Sequence, residues 1–509
     1  MRALLAALPI ALVLVAMIGW RWRAAGAGLL GLAAALAVAV GVFGFGTQVY
    51  GELGLARAAS GALAEALFTT ATILWIVFPA LCIYELQAET GAFDLLRRGL
   101  ARLSDDPGVL VLLVGFFAAL FVEGVAGFGT PIALTAPVLV RLGYAPARAV
   151  SLALVGHAAG VSFGAVGTPV MPQVAATGLP ALELSRWTAL LHAAVGWVLV
   201  VFLLRLARPD DAGAAAPARR WADGALAVLS FFVPFLALAT LVGPELPTLG
   251  GAVIGMCVFA AIVRRRARTG PAAADDGPDL DARTLLRAGL PYVVLLALVL
   301  VTRLVPPLRA PLQGYAWEWS LLAVFDGRVA PLYHPGTLLL LGFLVGGLAQ
   351  GHGAGRLAAA AARAGRRMAP VVLALVAMLG LSRVAVHAGM IQALAESAAG
   401  AGRAWPVLAP FVGVLGTFVT GSATSSNILF SDFQQATAAA LGLPIAALQG
   451  AQGFGAAVGN IVCPHNVIAG GATVGLGRGG EGEVLRATVL PCVAYAAAGG
   501  LVLLALLQR

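Results

Sequence analysis

The chain has 509 residues, of which 60% are apolar and only 11% charged, and its mean hydropathy is +0.94. That composition, with repeated apolar runs of about twenty residues, excludes an ordinary water-soluble domain and describes an integral membrane protein with many spans. The formal charge of +9 would point to nucleic acid if the basic residues formed one stripe, but they are spread between apolar runs and answer to membrane topology instead.

In chain order, the first twenty residues, MRALLAALPIALVLVAMIGW, read either as a signal peptide or as a first span. WRWR and a second apolar run follow at once, which favours the span. Further spans are expected near 24–43, 61–86, 147–178, 185–206, 223–242, 248–264, 285–304, 336–351, 369–394, 445–476 and 484–507, so that with 3–20 there are about twelve. Two regions remain, 108–143 and 406–442, each a pair of short apolar stretches around a tip of small residues. Each is expected to be a re-entrant helical hairpin. Residues 207–222 and 267–283 are polar, Ala/Pro-rich cytoplasmic linkers, and the amphipathic arms TGAFDLLRRGLARL and AGRLAAAAARAGRRM are expected at the membrane surface. Cys82, Cys257, Cys463 and Cys492 lie far apart in apolar surroundings and read as inert thiols rather than disulfide partners or metal ligands.

Charge orients this plan. With the N-terminus outside and the hairpins not crossing, about 23 of the 32 basic residues fall on one side, among them Arg97, Arg98, Arg141, Arg219, Arg264, Arg363 and Arg367. The positive-inside rule makes that side cytoplasmic and puts both termini outside. The two hairpin regions are also related to each other. FVEG at 121–124 corresponds to FVTG at 418–421, and ELSRWT at 183–188 to EVLRAT at 483–488. GAVGTPVMPQ around Pro169 corresponds to AVGNIVCPHN around Pro464. Matches in one order within two windows are a repeat. Seven spans separate the third span from its counterpart, the tenth, so the repeats are inverted. The expected division is a first repeat over 1–206, linkers and a central helix pair over 207–283, and a second repeat over 284–509.

Inverted repeats with broken helices are the architecture of secondary transporters, whose substrate site lies where the breaks converge near the midplane. A half-helix that starts inside the membrane presents free N–H groups and a positive dipole end to an anion, and Pro131 and Pro169 suit the first turn of such a helix. The second tip, VTGSATSSNILF, carries five hydroxyl side chains and Asn427. Lone Ser and Thr residues in membrane helices are commonly bonded to the preceding turn. A cluster at a repeat-equivalent break is read as substrate or ion contacts. Ionisable groups at membrane depth need a reason: Glu123 at the first tip, His157 one helix on, and His465 at the second break are the candidates for proton coupling. Each also has a structural reading, Glu123 as a helix cap and His157 as a hydrogen-bonded core histidine. Asp432, Arg383 and His387 are read as cap, lumen-facing or interfacial groups.

At FVEGVAGFGTPIALTAPVLVRLGY, FGAVGTP, GPELP at 243–247, TGSATSSNILF and the TGAFDLLR arm, the chain resembles the L-lactate permease family of bacterial 2-hydroxy-monocarboxylate transporters. The pieces run in family order over most of the chain. The resemblance implies uptake of lactate or glycolate with a proton across the inner membrane, within a wider ion-transporter superfamily that has two re-entrant hairpins. It also implies that Glu123, Gly127, Gly129 and Thr130 of the first tip line the site together with Ser422, Thr424, Ser425, Ser426 and Asn427 of the second. The breaks at Thr168 and at Cys463 to Asn466 complete it. Two departures stand out: Ala423 replaces an acid that family members carry at the second tip, and Cys463-Pro464-His465 replaces Ser-Pro-Gln.

The expected protein is therefore all-α and polytopic, a symporter of a small carboxylate with a coupling proton, or with sodium as the alternative ion and a dicarboxylate as the alternative cargo. The bilayer is its partner, with no nucleic acid, no cofactor and no metal, and a homodimer is compatible with this plan. An intramembrane enzyme using Ser425, His465 and Asp432 is the reading from another class; it has no GxSxG elbow, no metal-ligand spacing, and no use for an inverted repeat.

Overall fold

The computed structural model describes residues 1–18, 20, 22–92, 106–127, 129–207, 217–267, 282–476 and 480–508. The arm that begins TGAFD from residue 93 onward, most of both linkers, and Phe128 of the first tip lie outside the described residues. Helices dominate. Eight are long and apolar enough to cross a membrane, or up to eleven if each of three bent pairs counts as one span. Three shorter apolar helices, Arg2–Met17, Thr130–Arg141 and Pro335–Ala349, stand outside that count, beside the twelve spans expected. The expected break of 445–476 at Pro464 is present: the segment is two helices, Ile445–Gly459 and Pro464–Thr473. Conversely, the first arm of each predicted hairpin, Pro107–Val125 and Gly402–Thr420, is long enough to cross by length. The all-α expectation also missed a small antiparallel pair, Trp317–Leu321 with Phe325–Val329. Only Phe325 of that pair is fully buried; it seats against Gly61, where any side chain would collide with its ring.

The first hairpin runs up through Pro107–Val111, a π-helical stretch Leu112–Ala118 and Ala119–Val125, then down through Thr130–Arg141. Asp106 opens it by accepting from the Gly108 and Val109 N–H groups, which leaves Pro107 at the first turn, where its missing N–H costs nothing. The second hairpin is Trp405–Thr420 and Ala423–Leu441. The first broken helix runs from Pro146 to Thr177 and is buried throughout 149–170.

Hydrophobic packing divides into one large cluster and three smaller ones, the smallest being Val161 with Ala423, Ala456 and Ala457. The large one joins the first hairpin, the first broken helix, 181–206, the second broken helix and the C-terminal helix Gly480–Leu507. A second cluster joins Gly54–Glu89, Leu290–Leu304, Pro335–Ala349 and Ala354–His387. The third packs Arg2–Ile18 and Ala24–Phe43 against Leu429 and Phe430 of the second hairpin. The basic arm of 354–369 is helical and is held to the end of Gly54–Glu89 by ion pairs: Arg363 to Glu85 and Glu89, and Arg367 to Glu85. Where this arm meets Val371–His387 the helix bends by 44°.

Candidate functional site

The site is built from one local motif used twice. At the first tip Gly129 is left-handed (φ 78°), Thr130 donates its hydroxyl to Gly127 O at 2.7 Å, and Pro131 starts the next helix. At the first break Gly167 is left-handed (φ 80°), Thr168 donates to Ala165 O at 2.6 Å, and Pro169 starts the next helix. In each, glycine supplies the reversed backbone, threonine satisfies a carbonyl freed by it, and proline sits where no N–H is needed. The first break goes further, since Ala165 (φ 42°) and Val166 (φ 56°) are left-handed as well. A β-branched residue in that region is strained by about 1–2 kcal/mol, and such strain persists where the surroundings impose it.

The breaks meet. Asn427 of the second tip donates to Pro169 O of the first break at 2.7 Å. A Cβ placed on Gly129 would lie 3.4 Å from Asn466 Oδ1, and one on Gly421 would lie 3.3 Å from His465 Cβ, so the second break is wedged between both tips. Between them lies a cavity of about 40 Å³, lined by Glu123, Gly127, Gly129, Val161, Gly164, Ala165, Thr168, Pro169, Gly421, Ser422, Ala423, Thr424 and Asn460. That volume holds about three water-sized groups.

Of the residues named from sequence, Glu123, Gly127, Gly129, Thr168, Ser422 and Thr424 line the cavity. The others stand behind it. Thr130 is spent on Gly127, and Ser426 donates to Gly413 O at 2.9 Å. Ser425 uses its N–H to reach the Ser422 hydroxyl, which caps the second half-helix. Asn466 donates to Asn460 Oδ1 at 2.9 Å. His157 is buried and bonded to Ala153 O and Asn460. His465 is exposed, with its Cβ against Gly421.

Glu123 is 4% exposed, and no hydrogen bond or ion pair reaches it among the described residues. Its Oε1 occupies the space that a side chain on Gly164 would need. Gly164 and Asn460 were not singled out from sequence, although both lie in the Gly-rich segments around the breaks. Nothing in their local pattern says which of several small residues faces a carboxylate.

A second buried charge was also missed. Arg303 Nη2 lies 2.5 Å from Glu245 Oε1, both side chains are 4% exposed, and the guanidinium lies 3.5 Å from the centre of the Tyr333 ring. Glu245 belongs to the GPELP loop, which is wholly buried. Pro244 O lies 2.6 Å from the place of a Cβ on Gly167, and Thr248 donates to Gly160 O at 2.7 Å. The ion pair therefore fixes the loop that backs the first break. Arg383, read from sequence as interfacial, instead pairs with Asp432 at 2.7 Å, and Ser382 donates to the same oxygen.

A multi-span helical chain whose broken helices converge on a small carboxylate-bearing cavity is a membrane transport protein, not an enzyme. The chain belongs to the L-lactate permease family, whose profile matches residues 2–508. It is 30% identical over 373 residues to an L-lactate permease of Streptococcus iniae, covering 71% of this chain and 77% of that one. It is 28% identical over 482 residues to the glycolate permease GlcA of Escherichia coli, covering 85% and 84%. Its fold is similar to that of MtrF of Neisseria gonorrhoeae, described as one of a class of antimetabolite efflux pumps (TM-score 0.53, 15% identity, 94% of each chain). The protein is accordingly a multi-pass protein of the bacterial plasma membrane with a small carboxylate as its class of substrate.

Proposed function

We propose that the protein is a secondary active transporter that carries L-lactate or a related 2-hydroxy-monocarboxylate such as glycolate together with a proton. The observation that carries this is Glu123, a carboxyl group in the wall of the cavity without a partner among the described residues. Two carboxylates in so small a space cannot both be charged, so an anion loads there when Glu123 holds a proton. The substrate carboxylate meets the N-terminus of Ala423–Leu441, where N–H groups and the Thr424 hydroxyl are at hand. Permease relatives for lactate and glycolate support the cargo.

The two hairpins re-enter rather than cross, the repeats over 1–206 and 284–509 are inverted about the linkers at 207–283, and both termini face outward. The protein works by alternating access and is compatible with a homodimer. His465 and His157 flank the breaks as further proton positions. A competition panel of small carboxylates against labelled lactate, in proteoliposomes with and without a pH gradient and with Na⁺ replaced by choline, tests cargo and ion together. Competition by lactate and glycolate, driven by pH and indifferent to choline, is expected. Preference for a dicarboxylate, or dependence on Na⁺, would replace this reading.

A further inference from the structure

We propose that Asn460 is a ligand for the substrate carboxylate whose polarity is set by the charge on His157, which makes His157 a second proton position beside Glu123. The proposal rests on the symport reading above. His157 ends the helix Pro146–His157 and is fully buried. Its Nδ1 lies 2.5 Å from Ala153 O, an atom with lone pairs only, so Nδ1 carries a proton. Its Nε2 lies 3.2 Å from Asn460 Oδ1, and that oxygen also accepts from Asn466 Nδ2 at 2.9 Å. With the Asn460 oxygen toward the ring both ring nitrogens donate, which requires the imidazolium form. Asn460 Nδ2 then has no protein partner among the described residues, while Asn460 lines the cavity.

Neutral His157 keeps its Nδ1 proton for Ala153 and needs a donor at Nε2. The Asn460 amide must then turn over, so that Nδ2 serves both His157 and Asn466, whose own amide turns to accept. Asn460 Oδ1 now faces the cavity. A carboxylate thus meets an N–H donor when His157 is charged and a carbonyl when it is neutral. The turn of Asn466 is felt at the first tip too, because its outer atom lies against Gly129.

Among the described residues no acid is hydrogen-bonded to His157 to hold its charge permanently. The titratable groups on the elements packed against its helix are Glu123 on the first hairpin, Arg141 on its second arm, Arg205 on 197–206 and His465 on 464–473. The C-terminal helix adds Glu481, Glu483, Arg486, Cys492 and Tyr495. Arg148 lies nine residues back on the same helix. The two hydrogen bonds made by His157 go to Ala153 and Asn460 and to none of these. The charge is offset by the anion itself, and by linkage each raises the affinity for the other by the same factor.

One carboxylate with protons on both Glu123 and His157 carries a net charge of plus one inward. In proteoliposomes at equal pH, an inside-negative potassium diffusion potential of about 60 mV is expected to raise wild-type lactate accumulation about tenfold. His157→Gln is expected to lose that response while still accumulating lactate under an acid-outside gradient, and Asn460→Ala to raise the lactate KM about tenfold at acid pH. Wild-type uptake that follows pH but ignores voltage overturns the inference and leaves the symport reading standing. Wild-type protein that accumulates lactate under neither gradient overturns both.

Discussion

Asn427 and Pro169, 258 residues apart, are joined by a 2.7 Å hydrogen bond from the Asn427 side-chain nitrogen to the Pro169 carbonyl. The bond ties the second tip to the first break, so the two halves of the site cannot relax independently. Asn427 is 1% exposed and its Oδ1 accepts from Gln452 at 3.3 Å. Asn427→Ala leaves the Pro169 carbonyl without this donor in a buried place, at a cost of about 1–3 kcal/mol, while Gln452 keeps its bonds to Ser426. A lower melting temperature of the purified protein and a raised KM for lactate are expected; an unchanged melting curve would show that the bond does not hold the halves together.

Gly164 is glycine because Glu123 lies on it. Gly164→Ala is expected to push the carboxyl group out of the cavity and reduce uptake at least about tenfold, the loss of one good charged-group contact. Gly365→Ala is the control, since a Cβ there meets nothing within 4 Å, and alanine favours a helix over glycine by about 0.5–1 kcal/mol. Equal uptake by the two variants, in vesicles with equal amounts of each protein, speaks against a positioned Glu123.

The Glu245–Arg303 pair predicts an asymmetry. Glu245→Gln leaves a buried guanidinium without its counter-charge, at a cost of about 3–5 kcal/mol, whereas replacing both residues by neutral ones removes the charges together. The double variant should therefore melt above the single Glu245→Gln protein. If it melts lower, the pair is not held by charge.

Orientation can be read by labelling. In a chain with Cys257→Ser, the described cysteine that is exposed, Ser320→Cys on the β-hairpin is expected to react with a membrane-impermeant maleimide on intact cells. Arg366→Cys on the basic arm is expected to react only after permeabilisation. The reverse pattern inverts the proposed topology.

How much of this was legible beforehand follows from what each feature depends on. Breaks at Gly129-Thr130-Pro131 and Gly167-Thr168-Pro169 were visible because glycine and proline act on the local backbone, wherever the rest of the chain lies. Glu123 was visible because a lone acid in an apolar run has no local excuse. Asn460, Gly164 and the Glu245–Arg303 pair were not, because their significance is a contact with something far along the chain. The hydroxyls of the second tip show the same limit: Ser422 and Thr424 reach the cavity, while Ser426 turns back to Gly413, and hydroxyl side chains two to four residues apart give no sign of which does which. The β-hairpin escaped notice since 317–329 is short and mostly exposed, outside the apolar pattern that marks the spans.

The central claim is that Glu123 carries a proton with the carboxylate. Each proton carried multiplies the attainable accumulation about tenfold per unit of pH gradient. The most direct measurement is therefore the steady-state accumulation ratio of labelled lactate in proteoliposomes under an acid-outside gradient of one unit, for wild type and Glu123→Gln. A ratio about tenfold lower in the variant is the predicted result, and an equal ratio contradicts it.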